Sequence, residues 1–318
     1  MSSTTTLTPN DRRAGLRLYL ELARPFTLIA PALGFLSGGL TGLGAAPPQP
    51  ILFSTLWPIL LGALMAAMLN AASNSLNQIF DLAIDRINKP HRPLPSGRLS
   101  VPQAGRFAAL CYALALIMAW FINPVGRHEC FWIVIVASVL TWVYSGPPIR
   151  SKRFGVWANV TIAIPRGLLL KVAGWSAAKT VLGVEPWFIG GIFGLFLLGA
   201  SSTKDFADIE GDRANGCMTW PVKYGVKKAA WMIAPFFIFP FLFIPIGVRL
   251  NILTGHPTLL YLLAAILVTY GLYIDYLILR KPDALATDAN HVSWKHMYIM
   301  MFVAQVGFAI AYLVPHTV

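Results

Sequence analysis

Two clusters of oxygen-bearing side chains could do chemistry in this chain. Asn77, Asp81 and Asp85 are spaced i, i+4, i+8, and Asp205, Asp208 and Asp212 are spaced i, i+3, i+7, so on helices each set projects from a single face. With Glu210, which points elsewhere, the clusters hold six of the chain's 13 acidic residues, and each closes a long apolar run. Carboxylates are costly near a bilayer unless they hold cations. These oxygen ligands suit Mg2+, and Mg2+ bound by only a few carboxylates usually carries phosphate oxygens too. A plainer account has the first set capping a helix or pairing with Arg86 and Arg92, and Lys204 and Arg213 neutralising the second. Capping needs only one such residue, whereas the first stripe, extended inward by Asn74, runs for nearly three turns.

Basic donors surround both clusters. Arg24-Pro25, then Lys89-Pro90-His91-Arg92-Pro93, and then Lys223 supply groups that could clamp a pyrophosphate, arginine through its planar fork and lysine as a point charge. Tyr144-Ser-Gly-Pro-Pro-Ile-Arg150-Ser-Lys152-Arg153 holds a tyrosine hydroxyl and a basic triplet in a stiff turn. Arg166 follows Pro165 in the middle of an apolar stretch, where a charge needs a partner or a polar cavity. An acidic partner and an acceptor-side substrate contact both remain open for it. Cys111, Cys130 and Cys217 have neither disulfide-framework nor zinc spacing and read as packing residues.

The elements that must position these groups are membrane spans. At 56% hydrophobic and 12% charged residues, with mean hydropathy +0.63, the chain reads as an all-α polytopic membrane protein. Nine apolar stretches cover 20–42, 53–80, 104–122, 130–144, 157–175, 187–208, 229–248, 259–279 and 297–314, the fourth being short. Twenty of the 25 Lys and Arg fall in the N-terminus and the loops after stretches 2, 4, 6 and 8. The positive-inside rule then places the N-terminus and both acidic clusters in the cytoplasm. The net charge of +12 is thus topogenic and indicates a lipid bilayer, not nucleic acid, as partner. Residues 1–19 read as a disordered cytoplasmic tail, and 20–318 as one transmembrane domain.

An offset of 127 residues pairs Asp81 with Asp208, Asp85 with Asp212, Arg86 with Arg213 and Asn88 with Asn215. It carries the second span onto the sixth in the same direction, as a parallel internal repeat would. The two helix-end sites would then face each other across a central cavity.

The segment Asn77-Gln-Ile-Phe-Asp81-Leu-Ala-Ile-Asp85-Arg-Ile-Asn-Lys-Pro-His-Arg-Pro-Leu-Pro-Ser-Gly97 resembles the first aspartate motif of the UbiA superfamily of intramembrane prenyltransferases, and Lys204-Asp205-Phe-Ala-Asp208-Ile-Glu-Gly-Asp212-Arg resembles the second. Tyr144 to Lys152 is similar to the family's tyrosine-lysine loop, and Ala23-Arg24-Pro25 to its first-helix entry. The resemblance implies nine helices around a cavity, an Mg2+-bound isoprenyl diphosphate between the motifs and a side opening to lipid. Carried onto this sequence, it implies Asn77, Asp81 and Asp208 as magnesium ligands, with Asp85, Asp205 and Asp212 in support. Tyr144, Lys152, Arg92 and Lys223 would hold the diphosphate. Arg24, Arg150 and Lys204 read as further substrate-binding cations, and Arg166, by its position and not by the resemblance, is carried as an acceptor-side candidate beside the ion-pair alternative. Aromatic side chains would line a tunnel for the prenyl chain.

Subtype signals conflict. Many members have Asn-Asp where this chain has Asn77-Gln78, as homogentisate prenyltransferases do, whereas Arg92-Pro-Leu-Pro-Ser-Gly97 is more like the chlorophyll synthase and geranylgeranylglyceryl phosphate branches. The expected activity is transfer of the prenyl group to a lipophilic, most simply aromatic, acceptor. A membrane terpene cyclase shares the ionisation step. A transporter is the rival from another class, but it needs sites at the membrane midplane, not at cytoplasmic helix ends.

Overall fold

The computed structural model describes residues 9–287 and 291–315 of the 318-residue chain. Among these the protein is helical without strands. The elements are α1 (Pro9–Ala23), α2 (Phe26–Gly44), α3 (Phe53–Phe80), α4 (Leu82–Asn88), α5 (Val101–Phe121), α6 (Glu129–Ser145), α7 (Val156–Ala163), α8 (Leu170–Trp175), α9 (Val184–Ala200), α10 (Ile209–Ala214), α11 (Trp220–Tyr224), α12 (Val226–Ile233), α13 (Phe243–Arg249), α14 (Pro257–Leu279) and α15 (Val292–Leu313). A π-helical segment, Ile164–Leu169, joins α7 to α8, and a 3-10 segment, Ser201–Ala207, extends α9.

Eight helices among the described residues are long and apolar enough to cross a membrane. Val156–Trp175 and Val226–Arg249 are composite rods, and Val184–Ala207 joins α9 to its 3-10 extension. The fourth sequence stretch forms α6, an apolar helix of 17 residues, below that length. The prolines shape the second rod: Pro235 and Pro240 each lack an amide donor, and the chain tightens into 3-10 turns at both.

The N-terminal expectations need correction. Pro9–Ala23 is a helix where a disordered tail through residue 19 was expected, while 1–8 lie outside the described residues. Leu18, Tyr19 and Leu22 recur at helical spacing and pack on Leu94, Leu99, Ala104 and Phe107. Arg98 adds a two-pronged ion pair to Glu21 at 2.9 and 2.8 Å. The first span accordingly starts at Phe26, not residue 20. Pro25 disfavours the helical region at the residue before it, and Arg24 turns with φ at +59°.

α2 packs between α3, α8 and α15, while α3 packs on α5 and α14 on α15. The π-helical segment lies against α9 so closely that a Cβ on Gly167 would come within 2.6 Å of the Phe193 carbonyl oxygen. Away from the aspartate clusters, charged groups act as pins: Lys179 donates to the Ala45 and Pro47 carbonyls, and Glu185 accepts from Thr254 and Tyr312.

Candidate active site

Both aspartate motifs sit where a long helix breaks into a short one. Asp81 lies between α3 and α4 with φ −96° and ψ 13°. Asp208, its partner at the 127-residue offset, lies between the 3-10 extension of α9 and α10 with φ −110° and ψ 8°. This bridge region of backbone space is sparsely used and recurs at active sites. The short helices are tied together, since Asn88 accepts from the Gly211 amide at 3.1 Å and donates to the Asp208 carbonyl at 3.3 Å. The side chain of Asn215, its sequence counterpart, bonds within its own turn instead, to the Gly211 carbonyl at 2.9 Å.

Between the breaks lies a cavity of about 110 Å³. Its lining includes Asn77, Asp81, Asp85, Asp208, Tyr144, Lys152, Arg24, Arg92, Arg166 and Lys204, so ten of the residues singled out from sequence share one space. Asn77 donates to Asp81 at 2.6 Å. Lys152 donates to the same oxygen, Oδ2, at 2.6 Å, and Arg150 approaches Oδ1 at 3.2 Å. Arg92 grips Asp85 with contacts of 2.8 and 2.7 Å, and Lys89 pairs with Asp208. Lys152 is buried, which opposes its charge, but Asp81, Tyr144 and Asp212 outweigh that and hold its pKa above the ordinary lysine value.

This donor set fits Mg2+. Among the described residues no three or more His, Cys, Asp and Glu side chains converge into a ready cage. Instead, two carboxylates on opposed backbone breaks, with the Asn77 amide beside one, offer hard oxygens to a shared space. That suits an ion that keeps most of its shell for water and phosphate.

Not every expected residue joins the cavity. Asp205, Asp212, Arg150 and Lys223 are outside its lining. Asp212 is buried behind Lys152, with Oδ1 3.9 Å from Nζ. Burial pushes its pKa up to about 7; Lys152 opposes the shift, and Asp205 and Asp208 add to it. Lys223 stands over the Tyr224 ring at 5.1 Å. Glu210 and Arg213 line a separate surface hollow. Conversely, Thr27, Ser73, Thr141, Thr161, Trp294 and Tyr298 line the cavity although no spacing in the sequence marked them. Lys89, read from sequence only as a phosphate donor, also neutralises Asp208.

A second polar stripe explains how Arg24 is presented. Asn70, Asn74 and Gln78 recur every four residues on α3, beside the metal stripe. Their amides donate to the Thr27, Ala23 and Leu22 carbonyls at 3.0, 2.9 and 2.7 Å, and Asn74 also reaches the Thr27 hydroxyl at 2.8 Å. They fasten the Arg24 turn from one side. Gln78 is therefore a buried clamp residue, not a ligand, at the position where many family members carry aspartate. Arg24 itself is half-buried near other cations: desolvation, then the Arg92 charge, lowers its pKa to about 10. Asn74→Ala is expected to raise the KM for a diphosphate donor about fivefold with kcat nearly unchanged, the effect of about 1 kcal/mol of lost positioning. Steady-state kinetics beside a thermal melt would check this, and an unchanged KM would make the stripe a packing device only.

Two apolar chambers open beneath the polar cavity. One, about 50 Å³, runs down α3 and α6 past Leu69, Met65, Val134 and Ile133. The other, about 90 Å³, lies among α2, α9 and α15 beside Leu197, Met297 and Met301. Phe35 is the aromatic lining residue of the first, and Trp294 and Tyr298 of the second. The walls are thus mostly aliphatic, whereas Phe196, Phe206, Phe237, Phe241 and Phe308 are fully buried in the packing between helices.

Residues 35–313 match the family model described as the UbiA prenyltransferase family. The chain belongs to this family. It is 31% identical over 255 residues to the digeranylgeranylglyceryl phosphate synthase of Methanobrevibacter smithii, covering 80% of this chain and 86% of that protein. It is 30% identical over 271 residues to the bacteriochlorophyll synthase 33 kDa chain of Cereibacter sphaeroides, covering 84% of each. The solved structure of a UbiA homologue from Archaeoglobus fulgidus bound to GPP and Mg2+ has the same fold, with TM-score 0.71 at 24% identity over 92% of this chain and 99% of that one. This UbiA-family chain is a prenyltransferase and, by its apolar helices and family, an integral multi-pass membrane protein.

Proposed function

We propose that this prenyltransferase moves an isoprenyl group from a prenyl diphosphate to a lipophilic acceptor of the aromatic class, with Mg2+ and on the cytoplasmic side of a nine-span chain. The observation that carries this reading is the placement of Asp81 and Asp208 on matched backbone breaks of one cation-lined cavity that leads into apolar chambers. The Archaeoglobus homologue, solved with GPP and Mg2+, supports the donor and the metal. The Asn77-Gln78 pair supports the aromatic class, and the names of the relatives add glyceryl phosphate and chlorophyll-type acceptors to those worth assaying.

Bound to Asn77, Asp81 and Asp208, directly or through water, Mg2+ would withdraw charge from the diphosphate as it leaves. Lys152, Arg92, Arg24 and Lys204 line the same space and add fixed positive charge, so stabilisation grows as the C1–oxygen bond breaks. The electron pair of that bond departs with pyrophosphate. A lone or π pair of the acceptor then forms the new bond to the allylic carbon, and the acceptor's proton passes to pyrophosphate or water. Tyr144 lines the cavity, and Asp85 holds Arg92 in place.

Purified protein with Mg2+ and prenyl diphosphates of several lengths, offered aromatic, chlorophyllide and glycerol-phosphate acceptors, should yield prenylated product by mass spectrometry. Cyclic hydrocarbon formed without acceptor would replace this reading with a cyclase. Topology has its own test. Ser96→Cys should label from the cytoplasmic side only and Ala46→Cys from the opposite side only; both positions are exposed, and the three native cysteines are buried. Labelling of both from one side would refute the span assignment.

A further inference from the structure

We propose that Arg166 is the anion-recognition residue of the acceptor site, and that the acceptor carries a carboxylate or phosphate monoester which pairs with it. The inference deepens the prenyl-transfer reading and rests on it.

Arg166 lines the polar cavity and both apolar chambers, and among the described residues it is the only charged one in the lining of the chamber along α3 and α6. Four other cations near the aspartates are matched, Lys89 with Asp208, Arg92 with Asp85, and Arg150 and Lys152 with Asp81; Arg24 and Lys204 line the polar cavity without an ion pair among the described residues, but neither lines the chamber along α3 and α6. Among the described residues Arg166 makes no ion pair, and the three carboxylates that line the polar cavity with it, Asp81, Asp85 and Asp208, are engaged by those four matched cations. The open alternative from sequence, an acidic partner, is therefore not what the fold supplies. A guanidinium held within an apolar span without a counter-charge is costly, and that cost is offset when a ligand brings the anion. The backbone fixes the group there. Arg166 sits on the π-helical segment, a distortion frequent at functional sites, and its neighbour Gly167 presses that segment onto α9.

The placement separates two anions. On the proposed reading the diphosphate lies between Asp81 and Asp208, which line the polar cavity and neither chamber. Arg166 stands where the polar cavity meets the chambers, so an amphiphile whose anion rests on it has its apolar body in a chamber and its nucleophile directed back toward the diphosphate. A planar guanidinium grips a carboxylate or phosphate by two parallel hydrogen bonds, which fixes orientation as well as binding.

The test pairs each acceptor with its neutral counterpart: an aromatic carboxylic acid with its amide, and a prenylglycerol phosphate with the free alcohol. The wild type should prefer the charged member of the productive pair at least about tenfold in kcat/KM, as expected for one charge-assisted contact. The productive pair identifies carboxylate or phosphate as the natural anion. Arg166→Gln should lose that preference, mainly through acceptor KM, and Arg166→Lys should restore part of it. Binding of a prenyl thiolodiphosphate with Mg2+, read by titration calorimetry, should change less than twofold in Arg166→Gln. Equal use of charged and neutral acceptors by the wild type would overturn the proposal, even if the Gln variant did not fold. Loss of thiolodiphosphate affinity in a folded Arg166→Gln would also overturn it, assigning Arg166 to the donor. Absence of transfer by the wild type to any acceptor, with thiolodiphosphate binding intact, would refute the transferase reading itself.

Discussion

Asp208→Ala is expected to lower kcat/KM for the prenyl diphosphate by about a thousandfold or more while leaving the melting temperature close to that of the wild type. The activity loss is the scale found when a group stabilising developing negative charge is removed, about 4 kcal/mol. The small stability effect follows from partial exposure: the Asp208 side chain is 23% accessible and Lys89 27%, so the freed lysine can turn to water. Asp81→Ala should match the activity loss and add a second effect. Its carboxylate is 3% accessible and is held by both Lys152 and Arg150, so truncation leaves buried positive charge without a partner, at a cost of about 3–5 kcal/mol. Kinetics at saturating Mg2+ beside thermal melts in detergent would read both quantities. Near wild-type turnover in either variant would end the metal-ligand assignment. Chelation by EDTA should silence the wild type, and Ca2+ should rescue it poorly because its larger, looser shell suits a compact diphosphate site less well.

Lys152→Gln comes next in size, at roughly a hundredfold loss of efficiency, the upper range for one charge-assisted contact. If the lysine served topology alone, the change would be nearly silent, because Arg150 and Arg153 remain in the same loop. Its position between Asp81 and Asp212 argues otherwise. Removing it should also lower the melting temperature, since two largely buried carboxylates lose their common partner. Tyr144→Phe, which deletes a hydroxyl and no charge, should lose less activity and no stability. A correctly inserted Lys152→Gln protein, checked by the Ser96 label, with unchanged efficiency would remove this loop from the chemistry.

Much of the site was legible because its signals are local. Asp81 and Asp208 announce themselves by residue type, by position at the end of apolar runs and by a shared offset, and the fold gives them the same backbone break. Clusters read as helical stripes were less secure where the helix changed form. Asp205 lies within the 3-10 segment and Asp208 at its passage into α geometry, so i, i+3 spacing did not bring Asp205 into the cavity lining. Long-range partners were illegible for a different reason. That Gln78 fastens Leu22, or that Trp294 and Tyr298 wall the cavity, depends on which helices become neighbours, and apolar stretches of similar composition do not encode that choice locally. The α1 helix escaped notice because its apolar contacts are made with a loop and the start of α5, and its polar composition alone reads as a tail.

The tie between the two short helices constrains how this sequence can drift. Gly211 has no side chain because Asn88 occupies the space: a Cβ there would stand 2.4 Å from the Asn88 amide nitrogen. The two positions lie 123 residues apart, in different halves of the offset alignment, yet neither can change size alone. Across an alignment of relatives they should vary as a pair, with bulk at 211 answered by a shorter residue at 88. Such a pair would report the docking of the two halves even in sequences whose repeat has otherwise faded.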